Sequence, residues 1–134
     1  MCPRLRIAAA AALAASLLAV STASAQSPDG RFGNPARFVA SSGEGLYADI
    51  CQGCHMPGGV GAVGAGAYPA LAGDQKLASA GYGLTLVIRG QKGMPAFGGL
   101  LTDEQVAAVV NYVRSHFGNH FTDAVTAADA KAAR

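Results

Sequence analysis

Cysteine is scarce in this sequence, with three residues in 134. Cys2 lies near the N-terminus, and the other two, Cys51 and Cys54, stand three apart. No second pair of cysteines accompanies them, and a four-cysteine zinc site requires one. A single disulfide closing so short a loop would constrain little of the unfolded chain. Charge is sparse too, at 13% Asp, Glu, Lys and Arg. Nowhere does it gather into the basic cluster that nucleic-acid binding needs. No alternating apolar and polar run marks a strand, and no segment repeats. Past residue 25 no apolar run approaches the ~20 residues that cross a bilayer.

What is present begins with a leader. Arg4 and Arg6 precede the 14-residue apolar run Ile7 to Val20, and Ala23-Ser24-Ala25 follows. Basic, apolar and small segments in that order predict a cleavable secretory signal over 1–25, with Gln26 as the mature N-terminus. The apolar run is too short for a membrane span. No cysteine directly follows the cleavage site, where Gln26 stands, so a lipid anchor has no support. Arg4 and Arg6 are two of the ten basic residues, and the mature chain carries eight basic against eight acidic groups. The expected location is the periplasm, without a membrane span after cleavage. The 109 residues from Gln26 onward suffice for one small domain.

Residues 26–41 are rich in Pro, Gly, Asn and Ser and read as an irregular arm. From Glu44 to Gly53 the pattern turns helical, with Leu46, Tyr47, Ile50 and Cys54 on one face. Ser42 is the expected N-cap, and Glu44 suits the positive end of the helix dipole. Residues 57–73 form a Gly-rich loop without an element of their own. Leu77 to Arg89 reads as one or two short helices carrying Leu84, Val87 and Ile88, stopped by Gly90. Thr102 and Gln105 make a capping box, with Asp103 and Glu104 in the first turn. Val106, Val109, Val110, Val113 and Phe117 then recur at helical spacing until Gly118. Residues 119–134 read as a polar, Ala-rich tail, a frayed helix or disorder.

The chemistry concentrates in CQGCH, with Cys51, Cys54 and His55 as the reactive groups. Three residues along a helical turn place both sulfurs on one face, within reach of the two vinyl-derived carbons on one porphyrin edge. The adjacent histidine can then ligate the iron, which is the c-type haem attachment pattern. A thioredoxin-like redox pair wants a βαβ setting that this chain does not offer. A plain disulfide leaves His55 unexplained. One covalently attached haem c is therefore expected, held through Cys51 and Cys54 with His55 as the proximal iron ligand.

The second axial candidates are Met56, Met94, His116 and His120. Met56 adjoins His55 and does not easily reach the opposite face of the ring. His116 and His120 sit near the end of the last long helix and read as solvated. Met94 lies in the Gly-bracketed loop KGMPAFG, stiffened by Pro95. Met94 is thus the expected distal ligand, and a soft thioether there favours ferrous iron.

With these pieces in order, the chain resembles a class I cytochrome c from Ser42 to about Phe117. The resemblance rests on the helix ending in Cys51–His55, on YPALAG, on GMPAFG, and on the C-terminal helix carrying NYVR. It is nearest to cytochrome subunits or domains serving periplasmic dehydrogenases. The resemblance implies an all-α cytochrome c fold over 42–118, three to five helices around one haem. It also implies that the Pro69 carbonyl accepts a hydrogen bond from the His55 ring. The first and last helices would cross at small residues, placing Gly45 and Tyr47 near Val109, Tyr112 and Val113.

The function expected is electron carriage rather than catalysis. A periplasmic dehydrogenase or a quinol oxidoreductase would donate, and a terminal oxidase would accept. One alternative is an obligate cytochrome subunit of a dehydrogenase complex; another is a small haem peroxidase or gas sensor with an open sixth position. Gly59-Val60-Gly61-Ala62-Val63-Gly64 matches G-x-G-x-x-G, but no strand precedes it and Pro69 soon follows, so a dinucleotide fold is excluded. Lys76, Arg89 and Lys92 read as solvated charges before a docking patch.

Overall fold

The first helical stretch starts at Ser42, whose Oγ accepts a hydrogen bond from the Gly45 amide at 3.1 Å. A computed structural model of the chain describes residues 38–134; the expected signal segment and most of the N-terminal arm lie outside the described residues. The described residues belong to one unit, Arg31–Arg134. Helix α1 (Gly43–Leu46) runs into a π-helical stretch, Tyr47–Cys51, and on into α2 (Gln52–His55). A 3-10 turn, Pro57–Gly59, leads to β1 (Ala62–Val63) and β2 (Ala67–Tyr68). A second 3-10 turn, Gln75–Ala78, precedes α3 (Ala80–Arg89), α4 (Asp103–Ser115) and α5 (Ala127–Ala132).

The π-helical stretch changes which residues face inward. One wide turn holds an extra residue, so the helical face slips by one position past it. Leu46 and Tyr47 are buried as expected; beyond the wide turn His55 is buried, and the exposed Cys54 opens onto the cavity that His55 also lines.

Helix α4 is closed at its start by reciprocal bonds, Thr102 N to Gln105 Oε1 at 3.0 Å and Gln105 N to Thr102 Oγ1 at 3.2 Å. Gln105 also donates through Nε2 to the carbonyls of Phe38 and Ala40, tying the end of the arm to the helix. Val106, Val109, Val110 and Val113 form the centre of the core with Leu46, Tyr47, Leu84 and Ile88. The helix stops at Ser115, earlier than the apolar spacing suggests. Ser115 Oγ and His116 Nδ1 both turn back onto helix carbonyls, and Phe117 takes φ 60°. Phe117 still packs inward, 4.7 Å from the Tyr47 ring and 5.4 Å from that of Tyr112.

Helices α1 and α4 meet in the core, as the resemblance implied, but the small residue at the crossing is Gly43. A Cβ there would meet the Ala108 carbonyl oxygen and stand 2.6 Å from Tyr112 Cβ. Gly45 instead faces Ser42 and Ala40. The fold is mostly helical with one correction: β1 and β2 pair antiparallel, Ala62 with Tyr68 and Val63 with Ala67.

Residues 119–134 carry more structure than their composition suggests. Asn111 on α4 donates through Nδ2 to the Val125 carbonyl at 2.9 Å and accepts from the Val125 amide at 2.8 Å. Thr126 and Asp129 cap α5 reciprocally. Val125 and Ala130 join the core beside α4. Alanine supplies a smooth face without the apolar bulk that would signal burial in the sequence.

The crossing yields a test. Gly43→Ala forces a methyl against a backbone carbonyl that cannot swing away, so it should lower unfolding stability by about 1–3 kcal/mol. Gly45→Ala should cost less. Thermal unfolding of the two variants decides whether the approach is at Gly43.

Candidate functional site

One cavity of about 820 Å³ brings together α2, the Gly-rich loop, α3, the loop after it and the inner face of α4. Its walls are largely apolar, with Leu77, Leu86, Val87, Phe97 and Val110 among them. Cys51, Cys54, His55, Pro69 and Met94 all line it, so residues spread over 44 positions in the chain reach one space. Met56, His116 and His120 do not line it.

His55 owes its place to the wide turn before it. Its Nδ1 lies 2.9 Å from the Pro69 carbonyl oxygen. A carbonyl only accepts, so Nδ1 carries the proton and Nε2 keeps its lone pair for a metal. Pro69 is held in turn by the loop's own bonds. Gly61 N donates to the His55 carbonyl at 2.9 Å, and the Leu71 and Ala72 amides both donate to the Gly59 carbonyl. Asn119, buried, donates to the Leu71 carbonyl at 2.8 Å and fastens the loop to the region beyond α4.

Met56 closes α2 with φ 64°, and its carbonyl accepts from the Tyr47 hydroxyl at 2.7 Å. Burial, with the neighbouring Cys51 second, raises the Tyr47 phenol above its ordinary range. Tyr47 therefore stays a donor at neutral pH. Met94 sits in a tight turn, with Gln91 N to Met94 O at 3.0 Å and Met94 N to Gln91 O at 2.9 Å. The following residues are tied to α3 by Phe97 N to the Val87 carbonyl and Gly98 N to the Ile88 carbonyl. Gly90 adopts φ 69°, and a Cβ on it would stand 2.5 Å from the Met94 carbonyl oxygen.

Burial pushes the Cys51 thiol up to about 11, with Cys54 adding to the shift. Disulfide exchange uses the thiolate, which a thiol so shifted seldom supplies at neutral pH. Among the described residues no three His, Cys, Asp or Glu side chains converge to hold a metal ion by themselves. A paired thiol edge, an imidazole with a free Nε2 and an apolar cavity within the usual range for cofactor sites fit a haem instead.

Residues 39–113 match the family model described as cytochrome c oxidase, cbb3-type, subunit III. The chain belongs to this family of c-type cytochromes. It is 34% identical over 125 residues to the fructose dehydrogenase cytochrome subunit of Gluconobacter japonicus, covering 82% of this chain and 25% of that protein. It is 35% identical over 107 residues to the gluconate 2-dehydrogenase cytochrome c subunit of Pantoea cypripedii, covering 71% of this chain and 24% of that one. The chain thus spans about a quarter of the length of these relatives. No solved structure gives a significant match. The cytochrome's cofactor is haem, as the motif led one to expect.

Some residues that build the site are not conspicuous in the sequence. Arg114 is buried in α4 and binds the carbonyl of Leu77, which lines the cavity, and that of Ala78 next to it. An arginine one position past Val113, on the apolar stripe, was the available signal. Lys76 and Lys92 prove to line the cavity, while Arg89 donates to the carbonyls of Ala133 and Arg134.

Gly90→Ala should disturb the Met94 turn directly, because both the positive φ and the close carbonyl resist a Cβ. Hydrogen exchange at the Gln91 and Met94 amides should quicken about tenfold or more, equivalent to ~1.4 kcal/mol of local stability. Unchanged exchange at those two amides would show that Gly90 does not hold the turn.

Proposed function

We propose that this cytochrome is an exported electron carrier with a single haem, attached through Cys51 and Cys54 and ligated by His55 and Met94. The observation that supports this reading best is the shared cavity, which Cys51, Cys54, the Pro69-bound His55 and Met94 all line. Each thiol would add across one vinyl group to form a thioether. Bound there, the haem supplies one iron that cycles between ferrous and ferric. Pro69 fixes the tautomer and orientation of His55. The Gln91–Met94 turn and Gly90 set the position of the methionine sulfur, which favours ferrous iron. The apolar walls exclude water and raise the potential in the same direction. With His55 and Met94 as protein ligands, no open position is left for peroxide or a gas, which argues against the peroxidase and sensor readings.

The leader over 1–25 supports a periplasmic location. Among the described residues no helix is long and apolar enough to cross a membrane. On this reading electrons arrive from a dehydrogenase or a quinol oxidoreductase and leave toward a terminal oxidase. One surface favours the narrower version, a subunit held by a dehydrogenase. Residues 57–73 contain no Asp, Glu, Lys, Arg or His. Within them Val60 and Val63 are 64% and 93% exposed, and with Tyr68 they rim the cavity. Such a rim suits a steady apolar contact better than charge-steered encounters. The two relatives named as dehydrogenase cytochrome subunits agree with that preference.

Met94→Ala is expected to abolish the far-red sulfur-to-iron charge-transfer band of the oxidised protein while haem stays attached. Survival of that band would remove Met94 from the iron. For the rim, Val63→Asp should slow electron exchange with the partner at least tenfold, more than any shift of the potential accounts for, while leaving the thermal midpoint unchanged. The parent's exchange rate should vary little between low and high salt. A steep salt dependence with an indifferent Val63→Asp variant would favour a charge-steered shuttle.

A further inference from the structure

Arg114 is 1% exposed, the most deeply buried charge among the described residues. Its guanidinium donates from Nε to the Leu77 carbonyl at 2.8 Å and from Nη2 to the Ala78 carbonyl at 3.2 Å. Nη1 reaches the Asp123 carbonyl, and Nη2 lies 2.7 Å from Asp123 Oδ1. The Phe121 ring lies 5.9 Å from the guanidinium carbon. Leu77, whose carbonyl it holds, and Val113, its neighbour in α4, both line the cavity. The cation therefore stands one residue behind the cavity wall.

Its counter-charge is placed differently. The Asp123 side chain is 71% exposed, so water screens the carboxylate while the guanidinium is screened far less. Arg114 holds the Asp123 carboxyl below the usual carboxylate range, so it is ionised at neutral pH. Of the two charges, the buried guanidinium is thus the less screened, and it is the one bonded to the cavity wall at Leu77. A fixed positive charge in a low-dielectric setting favours whichever state of a neighbouring redox group carries one more electron.

We propose that Arg114 tunes the reduction potential of the bound haem upward as a fixed charge behind the Leu77–Val113 wall, with Asp123 partly offsetting it. This rests on the haem reading above. It adds a residue that touches neither the ligands nor the attachment cysteines. It also gives the segment beyond α4 a role, since Asp123 belongs to that segment.

The test is a spectroelectrochemical titration of the holoprotein at fixed pH and salt, comparing the parent with Arg114→Gln, Arg114→Lys and Asp123→Asn. Arg114→Gln removes the charge and should lower the midpoint. Arg114→Lys keeps it and should restore most of the parent value. Asp123→Asn keeps the Oδ1 acceptor but loses the negative charge, so it should raise the midpoint, by less than Arg114→Gln lowers it. A purely structural strut would loosen the wall in all three and move them in one direction. The proposal is overturned if Asp123→Asn falls or stays level, or if Arg114→Lys falls as far as Arg114→Gln. Should Arg114→Gln not accumulate, the signs for Asp123→Asn and Arg114→Lys decide alone. A parent protein without a haem couple would overturn the cofactor reading, whereas a couple with unmoved midpoints would overturn only this proposal.

Discussion

Backbone contact between α1 and α4 at Gly43 is the approach on which the site depends. Because no side chain stands at that position, Leu46 and Tyr47 can be pressed fully into the valine stripe of α4. With that end of the helix fixed, the wide turn at Tyr47–Cys51 determines what the other end presents. One extra residue in the turn delivers His55 to the interior, with Cys51 and Cys54 beside it in the cavity lining. The imidazole then meets the Pro69 carbonyl, and the Gly-rich loop is drawn across the mouth of the cavity.

The cavity's opposite side is built by separate means. Helix α3 ends at Gly90, and the next residues fold back on it through Phe97 and Gly98, which carries Met94 into the lining. Behind both sides, polar side chains on or near α4 act as fasteners. Asn111 holds the segment before α5, Arg114 holds the 3-10 turn at Leu77, and Asn119 holds the loop at Leu71. A domain of this size buries a limited apolar area on its own. On the proposed reading, a covalently tethered cofactor completes the core instead of merely occupying a pocket.

Much of this was readable from local chemistry. The Ser42 cap, the Thr102–Gln105 box and the valine spacing of α4 depend on neighbouring residues, and all three reappear in the structure. The Cys51–His55 motif points to a haem because its spacing is itself the chemistry, and the family match over residues 39–113 agrees on the haem. What escaped depends on geometry between distant parts. A π-turn has no sequence signature here, so the burial of His55 is not legible from the apolar spacing. Gly45 and Gly43 look alike until the partner helix is placed against one of them. The β1–β2 pairing uses two residues on each side, too few for a visible alternation. The ordered segment after residue 119 is held by α4 side chains, and composition alone reads it as polar tail.

The family and the two named relatives set this cytochrome among proteins built for electron transfer, while the chain accounts for about a quarter of those relatives' length. The central claim is narrower and belongs to this chain: one haem, tethered at Cys51 and Cys54. Intact-mass spectrometry of the exported protein under denaturing conditions tests it most directly, followed by mapping of the peptide that carries the added mass. The account predicts one haem per chain, retained through denaturation and localised to Cys51–Cys54, on a chain beginning at Gln26. A mass equal to the bare polypeptide, or haem released on unfolding, would contradict it.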